Sequence, residues 1–199
     1  YNVANTVSLT TGTQKNQTYV SVGAVNARGI IQNNDLDRYN FSVRNTTSML
    51  NDKLTMDLSF MYSNVKEQNM LSQGEYANPL VPVYLFPRGD DFSKYQYYER
   101  YDVDRNIKTQ FWPLKENGLS MQNPYWITNR NMYTNKKDRF LASGLLKYTI
   151  TDWLNVSGRV KLDKETINSE KKMYASTLNV IAENSDKGAY VQSNKNTSQ

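Results

Sequence analysis

The feature that most restricts what this chain can fold into is a side-chain alternation of period two across residues 37–62. Leu54, Met56, Leu58, Phe60 and Tyr62 fall on one side of an extended chain, and Thr55, Asp57, Ser59 and Ser63 on the other. Ahead of them, Tyr39, Phe41 and Val43 alternate with Arg38, Asn40, Ser42 and Arg44. Successive side chains of a strand point to opposite faces, whereas a helix repeats every three to four residues, so two half-buried strands are expected. A polar turn near Met49–Lys53 closes them into a hairpin. The pattern then returns. Asp138-Arg139-Phe140 restates Asp37-Arg38-Tyr39, and Asp152-x-Leu154 restates Asp52-x-Leu54.

Extending this logic predicts six strands, near residues 3–12, 18–26, 37–48, 53–65, 138–150 and 153–165. A further short strand is possible at Ala175–Ala182, in an otherwise polar and irregular C-terminal part. Between 66 and 137 the alternation lapses, and this segment holds all five prolines and most of the aromatics. Long structureless segments are uncommon in compact domains, and disordered ones are poor in aromatics, so this loop is expected to fold on itself or on a partner. Short turns thus alternate with longer connections.

Composition removes several function classes. With no Cys and no His, thiol nucleophiles, imidazole bases and the usual zinc, haem and iron–sulfur ligand sets are absent. No phosphate-binding glycine loop, nucleophile elbow or paired catalytic carboxylates are evident, so no enzyme, catalytic residue or cofactor is expected. Asp102-x-Asp104-x-Asn106 opens like a calcium loop, but Ile107 and Pro113 stand where an EF-hand needs Gly and Glu. A solvated acidic loop is the plainer reading of Asp90, Asp91, Asp102 and Asp104, and no metal is expected. The net charge of +5 is spread among acidic residues, which argues against a nucleic-acid partner.

A mean hydropathy of −0.74 does not decide between water and membrane. No apolar run is long enough for a membrane helix, but barrel strands place lipid-facing residues only at alternate positions. Strand lengths, short turns and long loops suit a transmembrane barrel, with Arg44, Lys147, Arg159 and Lys161 on its inner side and Tyr148 and Trp153 in an aromatic girdle. A soluble antiparallel domain with one wet face gives the same alternation.

Gly12-Thr13, Tyr19-x-Ser21-x-Gly23, Gly29-Ile30-Ile31 and Arg38-Tyr39-Asn40-Phe41 are followed by Asn123-Pro124-Tyr125-Trp126, Asp138-Arg139-Phe140, Thr151-Asp152-Trp153-Leu154 and Gly158-Arg159-Val160. This ordered series resembles the barrel of SusC/RagA-like TonB-dependent transporters of Bacteroidetes outer membranes. Ala24 and Ser42-Val43-Arg44 depart from the family's usual residues. The resemblance implies an all-β, antiparallel up-and-down transmembrane β-barrel segment with long extracellular loops, 66–137 being the largest. It further implies outer-membrane uptake of oligosaccharides or peptides with a SusD-like surface lipoprotein, energised by the TonB complex. The plug domain and TonB box through which TonB would act are not in this sequence, so these residues are expected to be part of a larger transporter. The alternative is a soluble β-rich carbohydrate- or protein-binding module.

Tyr95, Tyr97, Tyr98, Tyr101, Trp112, Tyr125 and Trp126 are the candidates for contact with a substrate or partner. Their flat amphipathic rings stack on sugar faces and anchor protein interfaces. The competing role for the same rings is a miniature core that holds the loop together.

Overall fold

A computed structural model describes residues 1–70, 76–113 and 121–199. In chain order the strands are β1 (Asn2–Gly12), β2 (Asn16–Arg28), β3 (Asp35–Met49), β4 (Leu54–Gln68), β5 (Glu99–Asp102), β6 (Ile107–Gln110), β7 (Asn131–Thr151), β8 (Leu154–Met173) and β9 (Ala189–Ser198). Seven of them form one antiparallel up-and-down sheet in the order β1-β2-β3-β4-β7-β8-β9, and β5 and β6 make a separate hairpin. Helices are short: α1 (Leu80–Tyr84), α2 (Pro124–Arg130) and α3 (Asn179–Ala182). The all-β antiparallel expectation holds. The sheet is open, with β1 and β9 at its edges, and among the described residues it has seven strands where six were expected.

The differences share one cause. β4 continues to Gln68 and β7 begins at Asn131, so the connection expected over 66–137 contracts to 69–130. Its parts 71–75 and 114–120 lie outside the described residues. In the added strand lengths charged and amide side chains occupy both faces and alternation fades, yet the backbone ladder continues beneath cross-strand polar pairs. Asn64 Nδ2 donates to Asp138 at 2.7 Å, Asn135 Nδ2 to Glu67 at 3.1 Å, and Lys137 meets Glu165 at 2.7 Å. The strand considered at Ala175–Ala182 is instead a turn, with Ser176 at φ 80°, leading into α3. The strand in this part of the chain is β9, which pairs with β8 from Lys164 to Met173.

Register carries the alternation across the sheet. Val7, Val22, Phe41, Tyr62 and Phe140 stand in one row, and Leu9, Val20, Val43, Phe60, Ala142 and Leu162 in the next. Phe60 meets Phe41 and Phe140 edge-on at 6.0 and 4.9 Å. This apolar face stays in the half of the sheet nearest the tight turns and runs to the turns on β4, β7 and β8, while on β2 and β3 Asn16, Thr18, Asn45 and Thr47 occupy its turn-end rows. Its far border is tyrosine, with Tyr62 Oη donating to Asp138 at 2.7 Å and Asn26 Nδ2 donating to Tyr39 at 3.3 Å. Beyond that border the same face carries Asp37, Lys66 and Lys136.

The opposite face is the more polar one at the same level, with Met61, Leu141 and Leu145 among its serines and ion pairs. Ser21 meets Ser42, and Ser59 meets Ser143, both at 2.8 Å. Arg44 pairs with Asp57, and Arg139 with Asp163 at 2.6 Å. The tight turns sit together at one end. The turn after β3 places Leu50, Asn51 and Asp52 in left-handed conformations. Before the first turn Gly12 has φ 145°, where a Cβ would lie 2.0 Å from the Asn16 carbonyl oxygen. The other end carries residues 29–34, 69–70, 76–113, 121–130 and 174–188, and the buried core of the described residues lies there, off the sheet.

A knit loop unit and its candidate binding surfaces

The loop unit is organised by Asn123, which has no exposed surface. Asn followed by Pro suits a helix start, because the Asn side chain caps the first free amides and Pro needs none. Asn123 Oδ1 accepts from the Tyr125 and Trp126 amides at 2.8 and 3.4 Å, while Nδ2 donates to the carbonyls of Tyr95 and Phe111, each at 2.8 Å. One side chain therefore starts α2 and pins two other turns of the loop.

Buried amides tie this loop to 174–188. Gln110 donates its backbone N–H to Ser176 Oγ at 2.9 Å and its side chain to the Ser176 carbonyl at 2.7 Å. Gln122 accepts from the Leu178 amide at 3.2 Å and donates to the Tyr76 carbonyl at 3.0 Å. The Trp126 indole donates to Thr177 Oγ1 at 3.2 Å, and that hydroxyl donates to Asn131 Oδ1 at 2.7 Å. Ser185 Oγ bonds the Thr177 carbonyl at 2.7 Å.

Aromatic rings fill the rest. Tyr95 packs on Trp112 at 5.1 Å and stacks on Phe111 at 5.2 Å, and Phe86 meets Phe92 at 4.9 Å. Such ring pairs contribute about 0.5–1.5 kcal/mol each beyond the area they bury. The candidate aromatics therefore divide. Tyr95, Trp112 and Trp126 are core, and Tyr98 and Tyr125 are half-buried. Tyr97 and Tyr101 are 80% and 59% exposed, and only they present most of a ring to solvent. Tyr84 and Leu85 at the end of α1 are exposed too, a pair the sequence did not single out.

Glu99 on β5 is the electrostatic joint of the unit. It accepts from Lys108 at 2.7 Å and from Arg130 at 2.6 Å. Burial alone would raise its carboxyl, but the two cationic hydrogen bonds outweigh burial and hold it below its ordinary value. Arg130 also lies over the Tyr174 ring at 5.0 Å. The acidic loop residues serve local turns: Asp102 Oδ1 accepts from the Asp104 and Arg105 amides, each at 3.1 Å. Hydrogen bonds from the Asp91 amide and from Ser93 hold Asp90 and Asp91, respectively, low. Among the described residues no group of acidic side chains is placed to hold a metal ion.

Sequence reasoning missed a cavity of about 530 Å³ between the loops and the sheet. Ile127 and Thr128 of α2, Ile31 of the β2–β3 connection, Ile181 of α3 and Asn69 at the end of β4 line it. Its sheet wall is Asn131, Met132, Tyr133, Lys171, Met173 and Val191, all but Met132 on the face that carries the Arg–Asp pairs. Its apolar residues come from separated segments with no common period, so no local pattern announces it. No protein-family model matches the chain, and no curated protein matches it.

Proposed function

We propose that this chain is a wall segment of an outer-membrane transporter of the SusC/RagA-like, TonB-dependent kind. In this reading it takes part in uptake of oligosaccharides or peptides alongside a SusD-like surface lipoprotein. The observation that carries the reading is the confinement of the apolar face to one band next to the tight turns. From Phe140 to Tyr148 the band measures about 27 Å along the strand, or about 21 Å along a membrane normal at a tilt of about 40°, close to the height of a barrel's lipid-facing belt. Tyr39 and Tyr62 border it on one side, and Tyr148 and Trp153 on the other, as aromatic girdles border such belts. The Arg–Asp and Ser–Ser face would then look into the lumen, and the knit loops would stand outside the cell.

Closure is part of the proposal. Unpaired backbone groups at the edges of β1 and β9 cost several kcal/mol each in hydrocarbon, so further strands must pair there. The absence of Cys makes the test clean. Single cysteines at positions 54–62 of β4, spin-labelled in lipid bilayers, should alternate. Oxygen in the lipid should reach positions 54, 56, 58, 60 and 62, and a water-soluble nickel complex the positions between. Uniform access of the nickel complex, in a chain that is monomeric and cooperative without detergent, would favour the soluble β-rich binding module instead.

A further inference from the structure

The cavity beneath the loops has the chemistry of a binding site, and its described lining is the same whether or not the sheet crosses a membrane. At about 530 Å³ it falls within the range of small-ligand pockets. Ile31, Ile127, Ile181, Met70, Met132 and Met173 dominate its wall. Methionine lines adaptable apolar sites because its unbranched thioether fills irregular shapes.

Two polar side chains of the wall are already used. Asn69 accepts from the Tyr133 amide at 2.8 Å and donates to the Thr128 carbonyl at 3.3 Å, and Thr128 Oγ1 donates to the Tyr125 carbonyl at 3.2 Å. Two donors remain. An indole N–H can only donate, so Thr177 must pass its own proton to Asn131 Oδ1, which fixes the amide orientation. Asn131 Nδ2 is thereby left buried with no partner among the described residues, a state that costs about 1–3 kcal/mol when nothing fills it. Lys171 has no carboxylate partner among the described residues, and its ammonium lies 5.3 Å from the Tyr133 ring. Asn131 pairs with Met173 and Tyr133 with Lys171, so Asn131 and Lys171 are diagonal neighbours, about 7–8 Å apart at the backbone. Asn131 Nδ2 has no surface open to the cavity, so Lys171 is the charged donor that a ligand there can reach.

We propose that the cavity binds a small apolar carboxylate, its body among the Met and Ile side chains and its carboxylate paired with Lys171 Nζ. A sugar fits poorly, because most of its hydroxyls would face Met, Ile, Pro and Val side chains. The probe is 4-phenylbutanoate, with 4-phenylbutan-1-ol as its neutral counterpart, added to the full chain carrying methyl-labelled methionines. The chain has 7 Met. Met70, Met132 and Met173 line the cavity, while Met49, Met56 and Met61 lie on the sheet and serve as controls.

Saturable shifts confined to the three lining methyls are expected, with the alcohol bound about tenfold more weakly, since hydrogen bonds to a charged group are the stronger ones. Lys171→Gln should bring the acid to the alcohol's affinity and leave the alcohol unchanged. Ile181→Trp, which fills the cavity from α3, should abolish both, the sheet methyls confirming that each variant is folded. The proposal is overturned by an absence of shifts at millimolar probe, by equal shifts at Met56 and Met61, by equal affinities for acid and alcohol, or by undiminished binding to the filled variant.

Discussion

Leu58 and Ser59 are adjacent in sequence and opposite in environment. Leu58 is exposed on the apolar band, close enough to Gly144 that a Cβ there would sit 3.3 Å from Leu58 Cδ2. Ser59 shares a hydrogen bond with Ser143 on the polar face. In lipid, Leu58→Arg should cost about 2–4 kcal/mol and Ser59→Arg much less, because only the first would put a charge into hydrocarbon. Reversible unfolding from liposomes measures both, and equal costs would mean that neither face meets lipid. Asn123 is the residue whose loss should matter most in the loops. Asn123→Ala removes the cap of α2 and leaves the Tyr95 and Phe111 carbonyls unsatisfied, so the loop unit should lose about 2–4 kcal/mol. Asn123→Asp keeps the cap but sets a buried carboxylate oxygen against both carbonyls and should cost at least as much as Asn123→Ala. Denaturation followed by Trp112 and Trp126 emission in a Trp153→Phe background reads this unit. An unchanged midpoint for Asn123→Ala would show that the two carbonyls are satisfied another way.

At the scale of elements, strands were legible where one face is apolar, as in β3, β4 and the turn-proximal halves of β7 and β8. They were illegible where charged and amide side chains occupy both faces. Lys136, Lys137 and Asn135 carry no alternation, yet they belong to β7 because the ladder from Phe140 continues through them. β9 was missed for the same reason, since Ser193–Ser198 offers no apolar face to read. In the loop unit, Asn123-Pro124 announced a helix start, but partners such as Thr177 and Ser176 are distant in sequence and local patterns cannot reveal them. Which tyrosines are buried depended on those partners. The β5–β6 hairpin supplies a test through Glu99. Its folded carboxyl is held low, so its stabilising contribution is complete above the ordinary glutamate value of about 4.3 and is lost as pH falls through the lower folded value. Glu99→Gln should therefore destabilise the loop unit at neutral pH by about 1–3 kcal/mol. The gap from the wild type should close on acidification, while Asp90 and Asp91 leave a shared slope in both. A gap independent of pH would mean that Glu99 acts through packing and not through its charge.

For the whole molecule, the decisive relation is between the band, the turns and the loops. β7, at 21 residues, is about 70 Å long, far more than a bilayer's hydrocarbon requires. The half of each long strand beyond Tyr39 and Tyr62 would therefore stand in water and carry the knit loops clear of the membrane. This geometry separates the tryptophans. Trp153 is 82% exposed at the β7–β8 turn, whereas Trp112 and Trp126 are 5% and 1% exposed within the loop unit. In bilayers of brominated lipid, quenching should fall on Trp153 alone and be strongest for bromines near the headgroup end of the acyl chain, where interfacial tryptophans lie. Trp153→Phe should then be almost unquenched. If quenching survives in Trp153→Phe, the loop end and not the turn end lies against the lipid, which would invert the orientation on which the external position of the loops rests. If the wild type is unquenched in lipid, the band is not a membrane belt, and the exposed row of Val7, Val22, Phe41 and Tyr62 needs a protein to cover it.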